Sequence, residues 1–207
     1  MKQEEKTRQT RERILQAAIT EFGSQNYASV TLNSICKKHK ISKGLVYYNF
    51  ENKDELYLCC VSQCFERFTS YLKTVNYASD SVKTSINILL KARQTFMNEN
   101  PYFRNIFFNV ILSPATHLER DLKNITREYQ EYIKNCYKTL FSGASLKMGV
   151  NVDTAVEYLL AFQDIYNGYY QSKAYQEQNF TQFIEDHEKK ISKLLDIILY
   201  GICEERM

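Results

Sequence analysis

The sequence contains no tryptophan, only two prolines and only six glycines among its 207 residues. A sheet protein turns at short intervals and uses glycine and proline to do so, so this scarcity argues against a β fold. Apolar residues instead recur at spacings of three and four almost throughout the chain, which is the period of an amphipathic helix. We therefore expect an all-α protein of about nine helices with no strands.

Long apolar runs are also missing. No segment reaches about 18 uninterrupted apolar residues, and the charged N-terminus lacks the apolar stretch of a secretory signal. We expect a soluble, cytoplasmic protein with no membrane partner.

The signatures of catalytic and metal sites are absent as well. The three histidines lie far apart, and the six cysteines include no Cys-x-x-Cys pair. There is no His-Glu-x-x-His helix, no phosphate-binding glycine loop and no Gly-x-Ser-x-Gly elbow. We expect no enzyme activity, no metal and no cofactor.

One chemical alternative is a thiol redox sensor, for which the candidates are Cys59, Cys60 and Cys64. Most such thiols are inert, because reactivity requires a stabilised thiolate.

Positive charge is concentrated at the N-terminus. Residues 1–54 hold ten Lys or Arg and six Asp or Glu, a net charge of +4, and residues 55–207 carry a net charge of −1. Because attraction to phosphate supplies most non-specific DNA affinity, this asymmetry suits a small DNA-binding head on a larger neutral body.

Residues 31–53 carry the most informative pattern of the chain. After an amphipathic helix over 6–22, with Arg8, Arg11 and Arg13 on its exposed side, we expect a turn in which Asn26 adopts a left-handed conformation. Thr31 is a good N-cap for a second helix that ends near residue 39, and Ser42 for a third helix. Two short helices joined by a tight turn are typical of a helix-turn-helix.

The third helix has the composition of a recognition helix. Lys43 and Gly44 occupy its first turn, where glycine permits a backbone to approach a phosphate closely. We expect its core-facing edge to contain Leu45, Val46 and Phe50. We expect its outward face to contain Lys43, Tyr47, Tyr48 and Asn49. Asn52 is expected to cap the next helix, with Lys53 positioned beside a phosphate.

Residues 8–58 resemble the DNA-binding domain of the TetR/AcrR family of bacterial regulators. The resemblance lies in Arg-x-x-Ile-Leu-x-Ala-Ala over residues 11–18, Ile-Ser-Lys-Gly over 41–44, Val-Tyr-x-x-Phe over 46–50 and Asn-Lys-x-x-Leu over 52–56. The chain departs from the family pattern at Asn26, where glycine is usual, at Cys36, where alanine is usual, and at His39-Lys40, where Ala-Gly is common.

The resemblance implies a DNA-binding domain over residues 1–52 and a larger helical domain for effector binding and dimerisation over 53–207. It implies a dimeric regulator, expected to be a repressor, that leaves a palindromic operator when a small effector binds. Operator, effector and the direction of regulation stay open. The DNA contacts implied by position are Thr31, Ser42, Lys43, Gly44, Tyr47, Tyr48 and Lys53.

The body has no motif of its own. We expect helices over 53–75, 81–98, 102–112, 117–141, 152–176 and 180–204. The last of these has an apolar face wider than one intramolecular partner requires, and in the resembled family the final two helices form the dimer interface.

Aromatic residues crowd the predicted interior of the body, where they form either an ordinary core or a site for a lipophilic or aromatic effector. Without tryptophan, a cationic ligand would depend on tyrosine faces and acids. A helical protein-interaction module that does not bind DNA is the remaining alternative. The candidate ligand residues are Phe65, Phe103, Phe107, Tyr132, Phe162, Asp164, Tyr166 and Tyr170.

Overall fold

The computed structural model describes residues 2–79, 81–174 and 179–203. Over these ranges it contains nine α-helices and no strand, which confirms the predicted fold class. None of the helices in the described ranges is both long and apolar enough to cross a membrane. In chain order they are α1 (Lys2–Phe22), α2 (Leu32–Lys38), α3 (Lys43–Asn49), α4 (Lys53–Lys73), α5 (Val82–Glu99), α6 (Pro101–Leu112), α7 (Glu119–Ser142), α8 (Val152–Gln171) and α9 (Phe180–Ile202).

The chain divides into two compact units. The first unit comprises Met1–Arg67 and Met97–Thr126, and the second comprises Phe68–Phe96 and Arg127–Met207. Helices α4, α5 and α7 each contribute residues to both units. The functional division into domains at residues 52 and 53 stays a prediction.

The core of the first unit is built from one inward face of each short helix. Ile14 and Phe22 on α1 are buried, as are Val46 on α3 and Phe50, the C-cap of α3. Leu45 was expected to join them, but it is 43% exposed. Neighbouring residues of a helix point about 100° apart, so Leu45 is turned away from the face that Val46 and Phe50, four residues apart, share.

In the turns of the first unit, the residue with a left-handed conformation is not the one that the sequence predicts. Asn26 is extended, with φ −67°, and its side chain accepts a hydrogen bond from the Ser29 backbone N–H at the start of a single 3₁₀ turn. Lys40, between α2 and α3, is the one residue other than glycine in the described ranges with a positive φ, 52°. The prediction for Asn26 was wrong, because the hydrogen bond that its side chain accepts stabilises the turn with Asn26 in an extended conformation. The left-handed position is instead where the resembled family commonly has glycine.

Helix α6 packs directly on the end of α1. A Cβ at Gly23 would lie 2.6 Å from the Tyr102 Cβ, so only glycine allows this approach. The Asn105 amide donates to the Gly23 carbonyl oxygen at 2.7 Å, and the Cys64 thiol on α4 donates to the Phe103 carbonyl oxygen at 3.3 Å. These contacts place α6 in the same compact unit as the three N-terminal helices.

In the second unit, aromatic rings and one ion pair join the helices. The Phe68 ring lies 4.9 Å from Phe96 and 5.4 Å from Tyr129. The Arg93 guanidinium on α5 lies 2.7 Å from the Glu188 carboxylate on α9. These contacts hold α4, α5, α7 and α9 in one core.

Helix α8 ends earlier than predicted, at Gln171 rather than near residue 176, which lies outside the described residues. The Lys173 N–H bonds to the carbonyl oxygen of Tyr170, three residues back, which tightens and closes the helix. The predicted end of the last helix at residue 204 also lies outside the described residues.

Most of the apolar face of α9 is buried within this chain. Phe183, Ile184, Ile191, Leu195 and Leu199 are all core residues. The breadth of that face is therefore largely explained by intramolecular packing.

Candidate nucleic-acid interface

The start of α2 is fixed by a reciprocal pair of side-chain bonds. The Thr31 hydroxyl accepts from the Ser34 N–H at 3.0 Å, and the Ser34 hydroxyl accepts from the Thr31 N–H at 3.2 Å. This capping box confirms Thr31 as the N-cap. Thr31 is exposed and Ser34 is half-buried, so the first turn of α2 stays accessible to an anion.

The start of α3 is equally exposed. The Ser42 hydroxyl accepts from the Leu45 N–H at 3.3 Å, which confirms the second predicted cap. Lys43 is exposed, and a Cβ built on Gly44 would find no atom within 4 Å. Nothing in the fold therefore demands glycine at position 44, and only a partner that approaches the backbone would.

The outward face of α3 carries two large phenols. Tyr47 is 58% exposed and Tyr48 is 78% exposed, as predicted. Asn49 was expected to point outward too, but its amide donates to the Leu45 carbonyl oxygen of its own helix at 2.8 Å. The exposed hydrogen-bonding groups of α3 are thus a lysine, two tyrosines and the amides of its first turn.

Arg11 on α1 fixes the other end of α3. Its guanidinium lies 4.2 Å from the centre of the Phe50 ring and donates to the Asn49 carbonyl oxygen at 2.9 Å. Arg11 was predicted on the exposed side of the first helix but is half-buried. The spacing along α1 does not reveal this contact, because it depends on how α3 packs against α1.

A buried carboxylate fixes the end of α2. Glu21 on α1 accepts from the Lys38 ammonium at 2.7 Å and lies 3.1 Å from the His39 ring nitrogen Nε2. Burial alone would raise the pKa of Glu21, but the hydrogen bonds and positive charges of Lys38 and His39 outweigh it, and the pKa is lowered. This group ties the helix-turn-helix to α1.

Lys53, predicted to lie beside a phosphate, makes two intramolecular bonds. Its ammonium donates to the carbonyl oxygens of Tyr27 at 3.1 Å and Val30 at 3.2 Å, and it lies 3.8 Å from the centre of the Tyr27 ring. The Tyr27 hydroxyl bonds to the Asp54 carboxylate. Asn52 caps α4 by accepting from the Glu55 N–H at 2.9 Å, as predicted. Lys53 therefore joins the start of α4 to the turn before α2.

A family model for bacterial regulatory proteins of the tetR family matches residues 14–60, the segment that contains all of these groups except Arg11. The N-terminal segment of the chain is similar to the tetR family. The protein is 37% identical over 62 residues to IcaR of Staphylococcus epidermidis, the HTH-type negative transcriptional regulator of the biofilm operon icaADBC. That match covers 30% of this chain and 34% of IcaR.

A second similarity extends further along the chain. The protein is 25% identical over 127 residues to the HTH-type transcriptional regulator YuxN of Bacillus subtilis, which covers 61% of this chain and 39% of YuxN. The chain thus spans little more than a third of the length of the curated relatives that it matches.

Solved structures of TetR-type regulators share the whole fold. FadR from Bacillus subtilis, in complex with stearoyl-CoA, superposes with a TM-score of 0.65 at 14% identity and covers 92% of this chain and 98% of its own. SmeT, the repressor of the Stenotrophomonas maltophilia multidrug efflux pump SmeDEF, gives 0.64 at 19% identity and covers 94% and 91%. At these identities the likeness concerns the fold alone.

The eight candidate ligand residues are divided between the two units. Phe65, Phe103 and Phe107 are buried in the first unit, where the Phe65 and Phe107 rings lie 5.2 Å apart. The other five candidates belong to the second unit. The three phenylalanines are thus part of a packed core.

The candidates on α8 are also largely satisfied within the chain. The Tyr166 hydroxyl donates to the His187 carbonyl oxygen at 2.9 Å, and the Tyr170 hydroxyl donates to the Asp186 carboxylate at 2.7 Å. Phe162 is half-buried, and Asp164 is exposed. A carboxylate at Asp164 is therefore directed to the surface rather than to an interior site.

A cavity of about 950 Å³ lies elsewhere in the second unit. It is lined by residues of the α4–α5 connection, the second half of α7, the α7–α8 connection and the end of α9. Tyr132 is the one candidate ligand residue that lines it. Sequence reasoning missed this cavity because its walls come from loops and helix ends that have no shared periodicity.

The three cysteines of α4 are poor redox candidates. Cys60 and Cys64 are buried, and Cys59 is half-buried with its sulfur 3.5 Å from the Arg11 guanidinium. Burial raises the pKa of each of the three thiols, and at Cys59 it does so despite Arg11. A raised pKa reduces the thiolate fraction on which sensing depends.

Among the described residues, no cluster of three or more histidine, cysteine or acidic side chains could hold a metal ion.

Proposed function

We propose that this protein is a sequence-specific DNA-binding transcriptional regulator that acts as a dimeric repressor. The observation that carries the proposal is the arrangement of α3. Val46 and Phe50 anchor the helix in the core, while Lys43, Tyr47 and Tyr48 project from it. A short helix held in this way fits the major groove, where hydrogen-bonding side chains meet base edges.

The proposed contacts fall into two classes. Thr31, Ser42 and Gly44 leave the first turns of α2 and α3 open, so their backbone N–H groups can bind phosphate oxygens. Lys43 adds a positive charge at the same end of α3. Tyr47 and Tyr48 carry the sequence-dependent contacts.

Lys53 takes a different part in the proposal. Two of the three N–H donors of its ammonium bind carbonyl oxygens of this chain, so one donor remains for a phosphate. Its main effect is to hold the turn that precedes α2.

The proposed dimer forms through the last two helices. Tyr158, Ile165 and Tyr169 lie at helical spacing on one face of α8, and all three are exposed, Ile165 by 73%. Ile197 on α9 is exposed as well. Large apolar side chains grouped on one face are typical of an interface. A two-fold dimer would present two copies of α3 about one DNA turn, ~34–36 Å, apart, which suits a palindromic operator.

The comparisons support repression and a small-molecule effector. IcaR is a negative regulator, SmeT is a repressor of an efflux pump, and the FadR structure contains stearoyl-CoA. We propose that a lipophilic or aromatic effector likewise binds this protein and releases it from its operator. A function that requires promoter DNA also implies a cytoplasmic location.

The test is selection of a duplex from a randomised pool, followed by fluorescence anisotropy across a salt series. Lys43→Ala should weaken binding to selected and scrambled duplexes alike and reduce the salt slope by about 0.9 for one lost phosphate contact. Tyr47→Phe, which removes only a hydroxyl, should weaken the selected duplex more than the scrambled one.

Two matched variants serve as controls. Lys91→Ala removes an exposed lysine from α5, and Tyr102→Phe removes a partly exposed hydroxyl from α6. Both should bind like the wild type. Failure of the pool to yield any preferred sequence would contradict the proposal.

A further inference from the structure

The cavity in the second unit lies against the end of α4. Residues 75–79 continue the chain directly from α4 and form one wall, and Tyr132, Cys136 and Leu140, one turn apart on α7, form another. The end of α9 closes a third side with Asp196, Leu199 and Cys203. Its volume of about 950 Å³ falls within the range of sites for drug-sized ligands, ~300–1,000 Å³.

Among the described residues, the lining is amphipathic and its two charged side chains have opposite signs. Val75, Val82, Leu140 and Leu199 give it apolar walls. The two oppositely charged residues on its lining, Lys83 and Asp196, lie 3.3 Å apart and compensate each other. A strongly charged ligand therefore gains little here, and an uncharged molecule with a large apolar body is favoured.

One hydroxyl of the lining is placed to exchange partners. The Tyr132 hydroxyl donates to the Leu72 carbonyl oxygen at 3.0 Å, and the Tyr77 hydroxyl donates to the same oxygen at 2.6 Å. If Tyr132 turned to a ligand, Leu72 would still accept the bond from Tyr77. The exchange leaves no buried carbonyl without a donor, so it avoids the usual cost of breaking such a bond.

The Tyr132 bond is also one of the ties between α7 and the last turn of α4. Leu72 is the penultimate residue of α4. The next residue, Lys73, bonds to Glu128 on α7 at 2.8 Å, but that pair is exposed and contributes little. Loss of the Tyr132 bond would therefore loosen the end of α4 from α7.

We propose that this cavity binds an uncharged amphipathic molecule with an apolar body and a carbonyl or ester oxygen, which accepts the Tyr132 hydroxyl bond in place of Leu72. Binding removes one of the ties between the last turn of α4 and α7.

Two thiols report directly on occupancy. Cys136 and Cys203 line the cavity and are half-buried, while Cys59 is half-buried outside it. Burial raises the pKa of all three thiols, so alkylation by iodoacetamide is best followed near pH 9 by mass spectrometry. Cys59 serves as the internal control in the same molecule.

The matched probes are 2-acetylnaphthalene and 2-ethylnaphthalene, which differ by one carbonyl oxygen. Saturating 2-acetylnaphthalene should slow alkylation of Cys136 and Cys203 several-fold and leave Cys59 unchanged. No protection, or equal protection of Cys59, would overturn the cavity as the binding site. Equal affinity of the two probes would overturn the requirement for an acceptor oxygen.

Variants test whether the Tyr132 hydroxyl donates the hydrogen bond to the carbonyl oxygen of the probe. Tyr132→Phe should weaken 2-acetylnaphthalene about three- to tenfold, the effect of one neutral hydrogen bond, and leave 2-ethylnaphthalene unchanged. Tyr102→Phe should affect neither probe. Leu140→Trp, which fills the cavity from α7, should abolish binding of both while circular dichroism shows a folded chain. Unchanged affinity in Tyr132→Phe would remove this hydroxyl from the account.

Discussion

Gly44→Ala separates what the fold requires from what a DNA partner requires. Gly44 lies in the first turn of α3, its φ is outside the left-handed region, and a Cβ added to it meets no atom within 4 Å. The folded chain therefore accepts alanine at this position without strain.

The stability of the variant should be equal or slightly greater. Alanine is favoured over glycine within a helix by about 0.5–1 kcal/mol, and less is expected in a first turn. We expect the free energy of unfolding, measured by urea denaturation, to rise by between zero and about 0.5 kcal/mol.

The DNA affinity of the same variant should fall. A methyl group on Gly44 occupies the space in which a phosphate would approach the backbone N–H groups of α3. Loss of one hydrogen bond to a charged group costs about 1.5–3 kcal/mol, which corresponds to a decrease in affinity of about ten- to a hundredfold. Fluorescence anisotropy at fixed salt measures this decrease directly.

Gly201→Ala is the matched control, because Gly201 lies within α9 and its Cβ would likewise meet no atom within 4 Å. It should bind DNA like the wild type. Unchanged DNA affinity in Gly44→Ala would refute a close approach of the phosphate backbone to α3. A large loss of stability would refute the structural reasoning at this position.

Three further predictions concern the supports of α3 and the dimer. Arg11→Lys should lower the free energy of unfolding by about 1–2 kcal/mol, because lysine lacks the planar contact with Phe50, whereas Arg8→Lys on the surface should not. Glu21→Gln should be less stable than the wild type at pH 7. Because the folded-state pKa of Glu21 is lowered, this difference in stability should shrink as the pH falls below the ordinary value of 4.5. A difference that stays constant with pH in urea melts would contradict the assignment. Ile165→Glu should shift the protein from dimer to monomer in sedimentation velocity, whereas Lys91→Glu should leave the dimer intact.

Local signals in the sequence accounted for much of the candidate interface. The caps at Thr31 and Ser42 depend on bonds within three residues, and both were predicted correctly. The spacing of Val46 and Phe50 likewise predicted the buried edge of α3. Exposure of Tyr47 and Tyr48 follows from the same periodicity.

Errors arose where the outcome depends on contacts distant in sequence. Leu45 is apolar and adjacent to a core residue, so hydropathy alone does not reveal that it is exposed. Arg11 is polar, but packing of α3 places Phe50 under its guanidinium. The error at Asn26 has a local cause instead, because its side chain caps the turn three residues ahead and the backbone stays extended.

The candidate ligand residues of the second unit stay a prediction. Tyr166 and Tyr170 were chosen for their phenols, but partners on α9 already accept bonds from both hydroxyls. The cavity is formed instead by connections and helix ends around Tyr132. Periodicity identifies which face of a helix is buried, but it does not show where neighbouring helices leave space.

The most direct test of the central claim is the ratio of the dissociation constants for a scrambled duplex and for the duplex selected from a randomised pool, measured at one physiological salt concentration. If the exposed face of α3 recognises base sequence, the wild type should prefer the selected duplex by about a thousandfold or more, and Tyr47→Phe should reduce that preference. Equal affinity for the two duplexes would contradict the claim and leave a helix-turn-helix that binds DNA through charge alone.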